Sequence, residues 1–288
     1  MAFWLNGDVR EDRAAIHIAD RGFLLGDGVF ETVLLVDGRP AFFSAHIRRM
    51  RAGAAALGIE AQFDENVLAD AVTSLAARNE ASTGKAWARL TLTRGVGPRG
   101  LAFVKGEWSP TLLISVNRYA APLDHGPAAV IVSKHVRNEH SITARWKTLN
   151  YLDNIMAKEE ATVAGADDAI MLNSARRVAC ASSSNIFLVR GETLKTPPLE
   201  EGAMPGVVRG VVLEEAQKAG IEIEQAPVES KELVAAALFL TNSLIGLRPA
   251  AKAGARSPDE AALVKIAELK SRYEAVMKAD LEACGAAR

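Results

Sequence analysis

From Phe30 to Val36 the chain runs through β-forming residues, meets the turn pair Asp37-Gly38, and returns over Pro40 to Phe43, the pattern of a hairpin. Ser44 then reads as the cap of a helix extending to about Leu57, with Ile47, Met50 and Leu57 at helical spacing. Asp64 opens a second helix running to Asn79, and strands are predicted over Ala86 to Thr93 and Thr111 to Asn117, with Arg94 to Gly100 as the loop between them. The stretch 119–127 carries prolines, a glycine and no periodicity. It reads as a linker between a smaller N-terminal domain, 1–118, and a larger C-terminal domain, 128–288.

Past the linker the alternation continues. Strands are predicted at Ala128 to Ser133, Asp168 to Asn173, Arg177 to Ala181, Asn185 to Arg190, near Ile221 to Glu224, and at Leu238 to Thr241. Helices are predicted from Tyr151 to about Val163, ahead of Gly165, and after the opening pair Pro205-Gly206. Ser257 reads as the cap of a last Ala-rich helix ending near Cys284, a packing or assembly surface. Strands and helices mix without strict βαβ alternation, which indicates α+β, and no GxGxxG follows the first strand, which weakens a nicotinamide enzyme.

Composition narrows the function class. A chain of 288 residues with 49% apolar and 24% charged residues has room for two domains of ordinary size. A net charge of -1 with no basic stripe suggests no nucleic-acid partner. The N-terminus turns polar too early for a secretory segment, and no apolar run approaches the roughly 20 residues needed to span a membrane. Cys180 and Cys284 lie far apart with no CxxC, and the five histidines match no metal motif, so neither a disulfide framework nor a metal site is expected. The expectation is a cytoplasmic protein that binds a small molecule.

The segment Arg145-Trp146-Lys147-Thr148-Leu149-Asn150-Tyr151 sets one lysine between an aromatic residue and a helix start. A lysine that loses solvent there has its ammonium form disfavoured, and such an amine can form a Schiff base with an aldehyde cofactor such as pyridoxal phosphate. Candidate anion donors are scattered around it. They include Arg48 and Arg49, of which one would face a buried anion and the other water; the helix start at Gly206, Val207 and Val208; and hydroxyls and amides at Ser182-Ser183-Ser184-Asn185 and Thr241-Asn242-Ser243. Asp20 to Thr32 packs three glycines and two aspartates ahead of a strand, either a ligand approach or an ordinary capped turn.

In this order the motifs Asp20-Arg21-Gly22 with Gly26-Asp27-Gly28, His46 with Arg49, Lys147-Thr148-Leu149-Asn150-Tyr151, Ser184-Asn185-Ile186-Phe187 and Gly206-Val207-Val208-Arg209 resemble the class IV aminotransferase family, whose members are fold-type IV pyridoxal-phosphate enzymes. The resemblance covers essentially the whole chain. It implies a two-domain fold, a homodimer, Lys147 as the Schiff-base lysine, Arg49 with the N–H groups of Val207 and Val208 and the hydroxyl of Ser243 on the cofactor phosphate, and cofactor contacts from Ser184 and Asn185. Cys180 departs from the family, which usually places there a glutamate that pairs with the pyridine nitrogen. Phe30 departs from members that carry a tyrosine. The loop Thr93 to Gly100, the stretch Thr241 to Pro249 and Phe30 itself resemble aminodeoxychorismate lyase, which implies substrate contacts at Phe30, Arg99 and Arg248. The alternative within the family is an aminotransferase of branched-chain or D-amino acids with 2-oxoglutarate.

Overall fold

The computed structural model describes residues 1–11, 13–102, 106–119, 126–252 and 260–286, the last three of these without their side chains. Most of the expected linker 119–127, and the expected cap Ser257, lie outside the described residues, as does the side chain of Cys284. The chain divides into two units, one formed by Met1–Ala121, Lys147–Asn150 and Met277–Arg288, the other by Pro122–Trp146 and Tyr151–Val276.

In the first unit, β1 (Phe3–Leu5) and β2 (Asp8–Arg10) precede a short helix α1 (Arg21–Leu25). Then come β3 (Gly28–Val36), β4 (Arg39–Pro40), α2 (Phe43–Ala56), α3 (Glu65–Arg78), β5 (Lys85–Val96) and β6 (Ser109–Arg118). The strands form one antiparallel sheet in the order β2-β1-β6-β5-β3-β4. Asp37 and Gly38, with φ of 49° and 74°, close the predicted hairpin with the paired positive φ values of a tight two-residue turn. Because side chains alternate across a strand, Val29, Val33 and Leu35 of β3 join Ala88, Leu90 and Leu92 of β5 in one core under Ile47 and Met50 of α2 and Leu68, Val72 and Leu75 of α3. Glu31 projects to the same side.

Two local expectations change. The returning strand is only two residues long, because α2 already begins at Phe43. Ser44 does not cap that helix; Phe42, at φ 53°, holds the cap position, and its N–H donates to Asp280 Oδ2 at 2.6 Å. Asp64 caps α3 as expected, accepting from the N–H groups of Asn66 and Val67.

The second unit contains β7 (Ala128–Val132), α4 (Ile142–Arg145), α5 (Leu152–Val163), β8 (Asp168–Leu172), β9 (Val178–Ala181), β10 (Asn185–Arg190) and β11 (Thr193–Thr196). It continues with α6 (Val207–Lys218), β12 (Glu222–Gln225), β13 (Ala237–Asn242), β14 (Gly246–Lys252) and the long α7 (Glu260–Ala286), whose last residues are grouped with the first unit. Eight strands run in the order β12-β11-β10-β13-β14-β7-β8-β9, mixing parallel and antiparallel pairs, so the class is α+β. Ile170, Leu172, Ile186, Leu188, Leu238 and Leu240 build the core on one face, while α5 lays Ala157 and Ala161 on the other against Ala169 and Met171. Among the described residues no helix is long and apolar enough to cross a membrane.

Candidate active site

Although Lys147 lies far along the chain from β3, its segment pairs with the edge of that strand in the first unit. The N–H of Phe30 donates to the Lys147 carbonyl at 2.8 Å, and that of Leu149 to the Gly28 carbonyl at 3.0 Å. Val29 and Thr148 bridge between them. This pairing pins the lysine backbone, and the Nζ lies 4.3 Å from the centre of the buried Phe30 ring. Lys147 is half-buried rather than fully withdrawn from solvent, with its Nζ against the ring. The Arg89 guanidinium on β5 lies 3.8 Å from the same ring centre. Phe30 is therefore a shared apolar support for two cationic groups.

Behind this surface, on the core side of the same sheet, lies a buried charge network. Glu31 Oε1 and Oε2 accept from Arg49 Nε at 2.8 Å and Nη2 at 2.6 Å, and Oε2 lies 2.7 Å from His46 Nδ1. Burial raises the Glu31 pKa, but the Arg49 charge and the hydrogen bonds from Arg49 and His46 outweigh it and hold the carboxyl at about 2. Burial pushes the His46 pKa down against the pull of Glu31, so the ring is neutral, and an ionised Glu31 that can only accept places the proton on Nδ1. Of the two arginines, Arg49 meets a buried anion and Arg48 is exposed, but that anion is the chain's own Glu31 and not a ligand phosphate. The anion itself went unrecognised, although an acidic residue within an apolar strand signals a buried partner.

The Asp20 to Thr32 stretch proves to be a capped turn. Asp20, fully buried, caps α1 by accepting from the Gly22 N–H and also accepts from the hydroxyls of Thr93 and Thr111. Asp27 accepts from Arg21 and Arg94. Arg99 lies exposed in the loop after β5.

In the second unit, α6 starts at Gly206 with no side-chain cap, so its first N–H groups, those of Val207 and Val208 among them, have no acceptor inside the helix. A Cβ at Gly206 would collide with Asn185 Oδ1, and Asn185 Nδ2 holds the approach by donating to the Met204 carbonyl at 2.8 Å. Directly across the strand pair from Asn185 stands Thr241, whose buried hydroxyl has no hydrogen-bond partner. An orphaned hydroxyl beside an uncapped helix N-terminus that glycine keeps open fits a phosphate group. Asn242 shapes the next turn: its Oδ1 accepts from the N–H groups of Leu244 and Ile245, and its Nδ2 donates to Ser184 Oγ at 3.1 Å. That turn carries Ser243. Part of the serine run is structural, since the Ser182 hydroxyl donates to buried Asp168.

Cys180 is buried among Ala157, Ala161, Ala169, Met171 and Ala179. Burial pushes its thiol up, Arg137 pulls it the other way and Asp168 adds to the rise, so the group is a neutral thiol at physiological pH. Arg137, buried and not singled out in the sequence, donates to Asn154 Oδ1 at 3.1 Å and to the carbonyls of Thr143 and Ala144 at 3.3 and 3.2 Å. Arg248 donates from Nε to the Gly126 carbonyl at 2.9 Å and lies 3.2 Å from Asp167.

The class IV amino-transferase family model matches residues 28–253. A Methanocaldococcus jannaschii protein, provisionally a branched-chain-amino-acid aminotransferase, is 32% identical over 86% of each chain. The aminodeoxychorismate lyase of Bacillus subtilis is 30% identical over 86% of this chain and 85% of its own. Among solved structures, the branched-chain aminotransferase of Thermoproteus uzoniensis superposes with a TM-score of 0.87 at 25% identity, covering 99% of this chain and 97% of its own. The 4-amino-4-deoxychorismate lyase of Pseudomonas aeruginosa gives 0.80 at 29% identity, over 97% and 99%. The chain belongs to the class IV aminotransferase family and is a pyridoxal-phosphate-dependent enzyme of fold-type IV.

Proposed function

We propose that the enzyme is a 4-amino-4-deoxychorismate lyase, releasing pyruvate and forming 4-aminobenzoate. The observation that carries this reading is a pair of guanidinium groups on the first unit besides Lys147: Arg89, against the Phe30 ring that Lys147 also meets, and Arg99, exposed in the loop after β5. A substrate with two carboxylates needs two cationic anchors, and planar guanidinium groups donate to carboxylate in parallel pairs. Arg248, engaged with Asp167 and Gly126, is left to loop pairing.

Pyridoxal phosphate supplies an aldehyde that holds the substrate amine and a ring that takes up an electron pair. Val207, Val208, Thr241 and Ser243 would hold its phosphate, with Ser184 and Asn185 supporting the cradle, and the family resemblance adds Arg49 as a cation for the same phosphate. Lys147 would hold the cofactor in the resting enzyme, and its Nζ, when free, would take the proton from the substrate α-carbon. Glu31 and His46 keep Arg49 oriented. If Cys180 stands where the family's glutamate does, a neutral thiol would give the ring nitrogen no anionic partner, which would weaken electron withdrawal. Elimination of pyruvate is helped by formation of an aromatic ring, so it tolerates that weakening better than a reaction without such a driving force. A homodimer working in the cytoplasm on an amino-acid-like substrate completes the reading.

The second reading is an aminotransferase of branched-chain or D-amino acids, supported by the likeness to the T. uzoniensis enzyme. The purified enzyme is supplied with 4-amino-4-deoxychorismate alone, or with an amino acid and 2-oxoglutarate. 4-Aminobenzoate and pyruvate in equal amounts, without a keto acid, support the lyase. Glutamate in the second mixture without 4-aminobenzoate in the first overturns it. Borohydride reduction should leave the cofactor mass on the Lys147 peptide, and a label that persists elsewhere in Lys147→Ala refutes that lysine's role.

A further inference from the structure

The Asp20 to Asp27 turn holds more charge than a turn requires. Arg21 is buried, and its guanidinium divides its donors between two tasks. Nε donates to Asp27 Oδ2 at 2.7 Å, while the two terminal nitrogens donate to the carbonyls of Gly100 and, at 3.3 Å, Leu101. These carbonyls follow Arg99 directly, in a segment whose side chains are exposed. The guanidinium also lies 5.2 Å from the centre of the Trp108 ring. At the other end of the loop, a Cβ on Gly97 would collide with that ring, so the backbone there rests directly on the indole. The loop carrying Arg99 is therefore held at both ends, by Trp108 under Gly97 and by Arg21 under Gly100 and Leu101.

Asp27 has a second cation. Arg94 donates to it from Nε at 2.8 Å and Nη2 at 3.1 Å, and also donates to the carbonyls of Leu57 and Gly58. Burial raises the Asp27 pKa, but the hydrogen bonds from Arg94 and Arg21 outweigh it and hold the carboxyl below its usual value. Asp27 would keep a buried partner if Arg21 were removed. Arg21 is thus dispensable for neutralising Asp27, and what distinguishes it is the pair of bonds to the loop. Only a planar fork spans a carboxylate and two consecutive carbonyls together; an ammonium group, a single point of charge, does not.

We propose that Arg21 is a positioning residue for substrate binding: it fixes the backbone at Gly100 and Leu101 so that Arg99 is presented to a substrate carboxylate. This rests on the reading of Arg99 given under the proposed function. Loss of the clamp releases Arg99 into many conformations, so substrate binding weakens while the proton transfer at Lys147 is untouched.

The test compares Arg21→Ala, Arg21→Lys and Arg99→Ala as holoenzymes, with 4-amino-4-deoxychorismate as substrate. KM should rise about tenfold in both Arg21 variants, the equivalent of about 1.4 kcal/mol, with kcat within twofold and cofactor affinity unchanged. Trypsin cleavage after Arg99, followed by mass spectrometry of that peptide bond in otherwise native protein, should accelerate about tenfold in both. Lysine failing to rescue separates the loop clamp from a simple need for positive charge beside Asp27. If Arg99→Ala raises KM while both Arg21 variants keep wild-type KM and wild-type cleavage, the clamp is wrong and the Arg99 reading stands. If Arg99→Ala leaves KM unchanged, the reading of Arg99 is wrong and the proposal falls with it, whatever the cleavage rates.

Discussion

Replacing Glu31 by glutamine removes a buried charge from its trio with His46 and the partly buried Arg49 and leaves the shape almost unchanged. In the wild type both carboxylate oxygens accept, two N–H bonds from Arg49 and one from His46. In the variant one oxygen becomes an NH2 group that faces a donor. The carboxyl sits at about 2 in the folded chain against an ordinary 4.5; at about 1.4 kcal/mol per tenfold this is worth about 3 kcal/mol at neutral pH. That agrees with the roughly 3–5 kcal/mol lost when one partner of a buried ion pair is removed. The folded pKa is depressed, so this stability is fully present above about pH 4.5 and is lost as pH falls from there toward 2. Urea denaturation followed by tryptophan fluorescence is a suitable assay, since Trp4, Trp87 and Trp108 all lie in the first unit. Glu31→Gln should be less stable than wild type by about 3 kcal/mol at pH 7, with the gap shrinking to about 1 kcal/mol at pH 3. A gap that stays constant between these pH values would refute the electrostatic account, and a gap under about 0.5 kcal/mol at pH 7 would refute the network's energetic role altogether.

Thr241→Val should divide two properties that usually move together. Removing an orphaned buried hydroxyl leaves the cofactor-free enzyme at least as stable, by up to about 1 kcal/mol, while pyridoxal phosphate binds roughly tenfold more weakly, as read by equilibrium dialysis; equal phosphate affinity in the two proteins would remove Thr241 from the cradle. Cys180, with its thiol pushed up by burial, should resist iodoacetamide at pH 8 in the native enzyme and react promptly in urea, followed by mass spectrometry of its peptide; rapid native labelling would contradict the neutral, enclosed thiol.

The sequence made the hairpin at Asp37-Gly38, the capped α3 and the strands β8 and β10 of the second unit legible, because each carries a local signal: a turn pair, a cap, a run of apolar residues; β11 went unread. It misplaced the start of α2, because Phe42 caps it from a left-handed backbone and the hydrogen-bond partner is Asp280, 238 positions away. β14 went unread because Pro249 reads as a strand breaker, yet it lies within the antiparallel pairing with β13, opposite Phe239, and the parallel pairing with β7 begins at the next residue, Ala250. In the site, Lys147, the opening of α6 and the Asn185 turn follow from short contiguous motifs. Glu31, Arg89 and Arg137 do not, since what singles each out is a ring, a carbonyl or an opposite charge brought from elsewhere in the chain. Arg21 was seen as part of a turn, and only the fold reveals the loop it reaches.

The stitch of Lys147–Asn150 into the edge of β3 has a consequence for how the protein can be made. The chain spends residues 122–146 in one unit, contributes four residues to the other, and returns at Tyr151. The bond from Phe30 to the Lys147 carbonyl joins positions 117 apart in sequence, a long loop to close before the contact exists. A fragment ending at residue 118 would lack the lysine, and a fragment starting at 128 would lack the strand that holds it. Lys147 is therefore set in its place only in a chain that carries both its own segment and β3.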